Sequence, residues 1–301
     1  MAFDHVHIKT RSLLMAPMED RINAIRRDRF IPYALERVVM AEMDKIMLTP
    51  SAVRAECLLL VGDSGMGKTA LVEFVHRHYK KSLGDVIRQR MVCVILPPIT
   101  VDRRWFYIRI LERIGIPYSK ADKPEFLHEQ VVDALRDAGT LVLLVDEFHN
   151  FLGSGNQNRV NEHMTAIRDI ANIPVSIVAA GTKASESCII ADDQLEQRFS
   201  RYRLKAWEET DELRNFLATW ESRIPLKLAS DLAGPALLPL VLRLSNGHMR
   251  HMMRLIKLAA ELAVTNEVEH ITEELLRVAF QQLVSVSNTR AGQVQSTAEK
   301  R

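Results

Sequence analysis

The chain has 301 residues, of which 47% are hydrophobic and 26% charged, and its formal net charge is +2. Such values fit a globular protein of one or two domains and exclude a disordered or fibrous chain; they also exclude attraction of nucleic acid by the overall field, so any such site must be a local basic patch. No apolar run approaches the roughly 18 residues of a membrane span, and Asp4, His5 and His7 stand where a secretion signal needs apolar residues, so a cytoplasmic protein without membrane contact is expected.

From Glu19 to Met47 the chain is charged, with Ile22, Ile25, Leu35, Val38 and Val39 at helical spacing and an interruption at Pro32. This predicts an N-terminal helical region over residues 1–55. After Thr49-Pro50-Ser51 the pattern changes to short apolar runs, Cys57 to Val61, Met91 to Leu96, Leu141 to Val145 and Val175 to Ala180, with a weaker one at Tyr202 to Ala206. Helical patterns separate them, at Lys68 to Lys80, Arg103 to Ile114, Pro124 to Ala138 and Asn158 to Ala171. Uniformly apolar strands alternating with amphipathic helices predict an α/β core over residues 56–206, a parallel sheet covered by helices on both faces. Beyond Trp207 only helical periodicity remains, through Asp211 to Ser222, Gly234 to Leu244, Met249 to Val264 and Thr272 to Val286, which predicts a small helical domain over residues 207–286. Residues 287–301 are polar and aperiodic and read as a frayed tail. Cys57, Cys93 and Cys188 are far apart and odd in number, as expected of buried reduced thiols, and His248 with His251 lacks the further ligands a zinc site needs.

The segment Gly62-Asp63-Ser64-Gly65-Met66-Gly67-Lys68-Thr69 satisfies G-x-x-x-x-G-K-[ST] between an apolar strand and an amphipathic helix. The glycines let backbone amides cradle phosphate oxygens, and the helix that continues through Ala70 aims its positive end at the same charge. Lys68 is expected on the β and γ phosphates of ATP, and the Thr69 hydroxyl on Mg2+. The apolar run ending at Val145 delivers Asp146 and Glu147 to a sheet edge. Asp146 is expected to hold the Mg2+ shell and Glu147 to polarise the attacking water. Thr182, after the next strand, is expected to contact the γ-phosphate or that water. In Gln194-Leu195-Glu196-Gln197-Arg198-Phe199-Ser200-Arg201, Arg198 is expected to reach a neighbouring subunit's nucleotide, with Arg201 as the alternative. Asn246-Gly247-His248-Met249-Arg250 reads as a turn into a helix that presents Arg250 to the phosphates, with His251 and Arg254 as alternatives.

Taken together, Gly62 to Thr69, Leu141 to Asn150, Ala180-Gly181-Thr182 and Asp192 to Phe199 resemble the TniB proteins, relatives of TnsC and AAA+ regulators of DNA transposition. The likeness includes Arg21 to Tyr33 and the block Asp146-Glu147-Phe148-His149-Asn150-Phe151-Leu152, and extends to about Pro225. It implies an AAA+ P-loop ATPase with an N-terminal helical segment and a C-terminal helical lid, working as a homo-oligomeric ring or filament on double-stranded DNA. It further implies a DDE transposase of the TniA/TnsB kind as partner, and a TniQ-like adaptor. Thr100, Arg103 and Arg104, leaving the second strand, correspond to the loop with which TnsC-like proteins contact the DNA backbone. Arg26, Arg27 and Arg29 form a second basic cluster, read as a surface or partner face.

Two other classes remain open from the residues alone. A secretion or signalling ATPase would use the same module without DNA, often beside a membrane span or sensor domain that is not seen in this sequence. A metabolic kinase would need a substrate domain where this chain has the helical pattern of a lid.

Overall fold

The computed structural model describes residues 3–28, 30–48, 55–99, 101–152 and 157–298. The chain divides into two compact units, Ala34–Lys205 and Met1–Tyr33 with Ala206–Arg301.

In the first unit five strands, β1 (Cys57–Val61), β2 (Met91–Ile95), β3 (Val142–Asp146), β4 (Ser176–Gly181) and β5 (Phe199–Arg203), form one sheet in the order β2-β3-β4-β1-β5. Every pairing is parallel. β1, β3 and β4 are buried along their whole length, which is why they read as unbroken apolar runs. β5 lies three residues ahead of the expected Tyr202 to Ala206. As an edge strand it needs one apolar anchor: Phe199 is buried opposite Cys57, while Ser200, Arg201 and Arg203 are exposed.

The helix Lys68–Leu83 buries Leu71, Val72, Val75 and Tyr79. Arg103–Ile114 is capped by Asp102, whose side chain accepts from the Trp105 amide, and stops at Gly115 in the left-handed region. With Pro124–Asp137 and Gln157–Ala171 it belongs to the apolar core of the sheet, where Phe106, Phe148 and Phe151 are fully buried. Each such side chain contributes about 1.5–3 kcal/mol of burial free energy. Burial pushes the Cys57 thiol up to about 12 and Cys93 to about 11, so both are inert protonated thiols at neutral pH.

The helix Ala34–Leu48 also belongs to this unit; Tyr79 donates its hydroxyl to Asp44 at 2.5 Å, joining it to Lys68–Leu83. The stretch 1–55, read as one region, is therefore divided at Tyr33, since Pro32 separates two helices whose apolar faces have different partners. Residues 49–54, including the Thr49-Pro50-Ser51 boundary, lie outside the described residues.

The second unit packs Asp211–Glu221, Leu238–Ser245, Met249–Thr265 and the N-terminal helix Met18–Arg26 around Leu213, Leu217, Trp220, Ile256 and Ala260. The last helix runs Glu273–Ala298, so the backbone of the expected tail stays helical to Ala298; no proline interrupts it. Arg21, 5% exposed, joins the two ends of this unit. Its guanidinium forks onto the Glu269 carboxylate and donates to the Pro225 carbonyl at 2.8 Å. Hydrogen bonds from Arg21 first, and from the Lys227 amide and ammonium, hold the Glu269 carboxyl down at about 2 against the opposing effect of burial. No helix among the described residues is long and apolar enough to cross a membrane.

Candidate nucleotide site

Parallel pairing brings the C-terminal ends of β1, β3 and β4 to one rim, with Val61 opposite Gly181 and Val145 opposite Ala179. The ladder continues one step into the loop, where the Gly62 amide donates to the Gly181 carbonyl at 3.2 Å. Gly65 and Gly67 have φ of +82° and +97°, a region that L side chains disfavour, and Gly67 leads directly into Lys68–Leu83. Beneath the loop Met66 is buried at 4% exposure, while Asp63, Ser64, Thr69 and Ala70 face outward.

Lys68 is only 5% exposed, and an unpaired ammonium there would be costly. Its Nζ donates to the Gly62 carbonyl at 2.7 Å and the Asp63 carbonyl at 2.9 Å, so the charge is held inside the loop beside a helix N-terminus. That combination is a phosphate cradle with a point charge in reach.

At the end of β3, Asp146 is 1% exposed and its Oδ1 accepts the Glu147 amide at 2.8 Å, which orients the carboxylate. Glu147 then leaves the strand with φ +57°, a conformation that costs a non-glycine residue about 1–3 kcal/mol. The surroundings over-determine it: Phe148 donates to the Ala180 carbonyl at 2.8 Å, Asn150 donates to the Glu147 carbonyl at 2.8 Å, and the Phe148 and Phe151 rings are fully buried. Phe151 stacks on His163 with ring centroids 4.2 Å apart, and burial pushes the His163 pKa down. Glu147 is thus turned out of the strand on a rigid base.

Thr182 heads the helix Lys183–Ile190, and its side chain makes no capping bond. Gly181 before it is compelled by close approach, since a Cβ there would sit 2.5 Å from Ser185 Oγ. For Mg2+ the residues present fit: the Thr69 hydroxyl and the Asp146 carboxylate are hard oxygen donors of the kind such a cation takes alongside phosphates and water. Among the described residues no cluster of three or more His, Cys, Asp or Glu offers a cage of protein ligands instead.

Arg198 lies at the opposite rim. The Cys57 amide donates to its carbonyl at 2.9 Å at the start of β1, and the five residues of β1 then separate it from its own phosphate loop, about 16 Å at strand rise. Its guanidinium donates to the Ala171 carbonyl and to Asn172 Oδ1 at 2.7 Å, beside a cleft that also includes Glu56, Gln194 and Gln197. Arg201 pairs with Glu196 at 3.4 Å. Sequence reasoning assigned nothing to Arg203, which the register places opposite Val61 at the phosphate-loop rim, 2.6 Å from buried Glu186. Its alternation with Arg201 was the available signal, hidden by the displaced strand.

Arg250 is exposed in the first turn of Met249–Thr265, in the second unit, with His251 exposed and Arg254 also exposed on that helix. Asn246 and Gly247 take φ of +54° and +67° to make the turn before it, and a Cβ on Gly247 would come 2.4 Å from the Trp207 carbonyl. Arg103 faces Glu162 at 3.3 Å and Glu125 at 3.8 Å, and Arg104 donates to the Asp122 carbonyl at 3.2 Å. Both are therefore partly engaged within their own unit. Thr100 and Arg29 lie outside the described residues, and Arg26 pairs with Glu261 at 2.7 Å.

A phosphate loop after β1, two carboxylates after β3 and a hydroxyl after β4, on a parallel sheet ordered β2-β3-β4-β1-β5, define a P-loop module with the AAA+ fold. Solved structures of this fold resemble it. The Aeropyrum pernix ORC2 protein in its ADP form superposes with a TM-score of 0.60 at 16% identity, over 86% of this chain and 72% of that one. The Aeropyrum pernix ORC1 protein in complex with DNA gives 0.61 at 16% identity, over 87% and 69%. Residues 21–209 match the family described as "Bacterial TniB protein", and the chain belongs to that family. In sequence it is also 27% identical over 150 residues to the ClpL ATP-binding subunit of the ATP-dependent Clp protease of Lactococcus lactis, covering 47% of this chain. It is 28% identical over 153 residues to the chaperone ClpB of Malacoplasma penetrans. The chain spans only 18% and 19% of the length of these two relatives.

Proposed function

We propose that this TniB-family chain is an ATP-dependent regulator of DNA transposition, which assembles on double-stranded DNA as a homo-oligomer and recruits or activates a DDE transposase at the target site. The observation that carries the reading is the convergence of Lys68, Thr69, Asp146, Glu147 and Thr182 on one rim of the sheet in a chain of this family. Lys68 and the loop amides hold the β and γ phosphates; Thr69 and Asp146 hold Mg2+, which when bound neutralises developing charge on the phosphates. Glu147 takes the proton of the attacking water and Thr182 orients the γ-phosphate or that water. Arg198 serves the nucleotide of a neighbouring copy, since it sits at the far rim from its own loop.

Capture on duplex DNA of arbitrary sequence, with and without a slowly hydrolysed ATP analogue, tests the reading. Retention on DNA that requires the nucleotide is expected. A protein that binds nucleotide but ignores DNA under both conditions would leave an ATPase of another complex in its place.

A further inference from the structure

We propose that His149 is a positioning residue for Glu147, holding the carboxylate in the orientation from which it activates water; the inference rests on the reading of Glu147 as the base. The two side chains meet across the turn that follows β3, with His149 Nε2 at 3.5 Å from Glu147 Oε2. The other ring nitrogen, Nδ1, is buried and, among the described residues, has no hydrogen-bond partner. A buried polar atom left unpaired costs about 1–3 kcal/mol, so a ring kept in that pose calls for a compensating role. Its Nε2, in contrast, lies beside the Glu147 carboxylate. Nε2 is therefore the ring nitrogen that faces the carboxylate, and Nδ1 the one that faces the interior.

The backbone makes the arrangement specific. Glu147 at φ +57° is directed away from the strand, and its side chain, 40% exposed, has several rotamers open to it. A base with that freedom spends part of its time off the line to the water. Two residues on, His149 begins the short helix His149–Leu152, whose Phe151 is clamped between Phe106 at 4.5 Å and His163 at 4.2 Å between ring centroids. The imidazole is thus carried on a rigid element and lends that rigidity to the carboxylate. The imidazole stands on the Oε2 side of the carboxylate, which biases the rotamer that Glu147 presents to the water.

The test measures ATP turnover at saturating ATP, and the affinity for a fluorescent ATP analogue, in the full chain carrying Glu147→Gln, His149→Ala or His149→Gln. His149→Ala is expected to lose about ten- to a hundredfold in turnover, the range for misplacing a positioned group, with unchanged nucleotide affinity. His149→Gln, whose amide nitrogen reaches the place of Nε2, recovers most of the loss. A wild-type rate in His149→Ala beside an inactive Glu147→Gln overturns the positioning role and spares the base. Equal losses in turnover and affinity, or a His149→Gln no better than His149→Ala, overturn it in favour of packing. A Glu147→Gln protein that hydrolyses at the wild-type rate removes the base assignment, and this inference with it.

Discussion

At the residue scale, on the proposed reading, different residues hold the nucleotide and cleave it. Lys68 is buried in the loop and satisfied by two carbonyls, whereas Glu147 stands on a turn with 40% of its side chain exposed. Replacing each therefore has a different signature. Lys68→Ala removes the point charge that meets the phosphates and is expected to abolish binding of a fluorescent ATP analogue in a protein that remains folded. Glu147→Gln keeps shape and hydrogen bonding but cannot take a proton, so binding persists while turnover falls by about two orders of magnitude or more. Titration and steady-state hydrolysis on the two variants check this, and a Lys68→Ala protein with unchanged affinity would remove the loop from the site. These residues were legible in sequence because each motif is continuous: glycines, lysine and threonine lie within one turn, and the carboxylates follow directly on their strand. His149 was visible as a letter in the block but not as a partner of Glu147, because the left-handed turn that joins them leaves no periodic trace.

At the scale of elements, β1, β3 and β4 were legible because burial on both faces leaves only apolar residues, whereas β5, an edge strand, mixes one buried anchor with exposed arginines. Partners distant in sequence were not legible at all. Arg21 and Glu269 are 248 positions apart, yet they fasten the N-terminal helix to the helical unit. The pair gives a pH prediction. A carboxyl held at about 2 when folded contributes stability that is complete above its ordinary value of 4.5 and is lost as pH falls toward 2. Arg21→Ala leaves Glu269 with Lys227, whose Nζ lies at 3.2 Å, and is expected to destabilise the protein at neutral pH by less than the ~3–5 kcal/mol of a buried charge left with no partner. The gap between wild type and variant in urea unfolding should then narrow between pH 4.5 and pH 2; a constant gap would mean that the pair contributes no charge interaction. Arg198 shows the same limit differently: its place near the last strand was readable, but its separation from its own phosphate loop follows only from the parallel register of β1 and β5. That separation makes a trans role testable. Arg198→Ala should bind ATP and fail to hydrolyse it, and mixing it with Lys68→Ala should restore part of the activity, because a mixed interface joins an intact loop to an intact arginine. Failure at every ratio, in proteins shown to co-assemble, would assign Arg198 to its bonds with Ala171 and Asn172.

At the scale of the whole molecule, the net charge of +2 sets how DNA can be held. A nearly neutral chain gains little from its overall field, so affinity has to come from a few cationic groups set against phosphates, repeated by each copy along an assembly. On the proposed reading the attraction within one copy is weak and alignment of many copies by nucleotide multiplies it, so DNA binding is expected to depend on ATP and to be indifferent to sequence. Arg103 and Arg104 are the residues proposed for this, and the structure tempers their contribution: the Arg103 guanidinium already faces Glu125 and Glu162, and Arg104 donates to the Asp122 carbonyl. Part of their charge is thus offset internally, and each approach to a DNA phosphate must compete with those bonds. Replacing both by Ala is expected to weaken binding and to lower the slope of log affinity against log salt by about one unit for each phosphate no longer neutralised. ATP affinity should be unchanged, since neither residue belongs to the loop from Gly62 to Thr69. Filter binding over a range of salt concentrations, with the ATP analogue present, measures the DNA affinity and its slope, and titration with the fluorescent analogue measures the ATP affinity. An affinity and slope equal to the wild type would confine the two arginines to joining Arg103–Ile114 to its neighbours, and the DNA track would have to be sought on other basic residues.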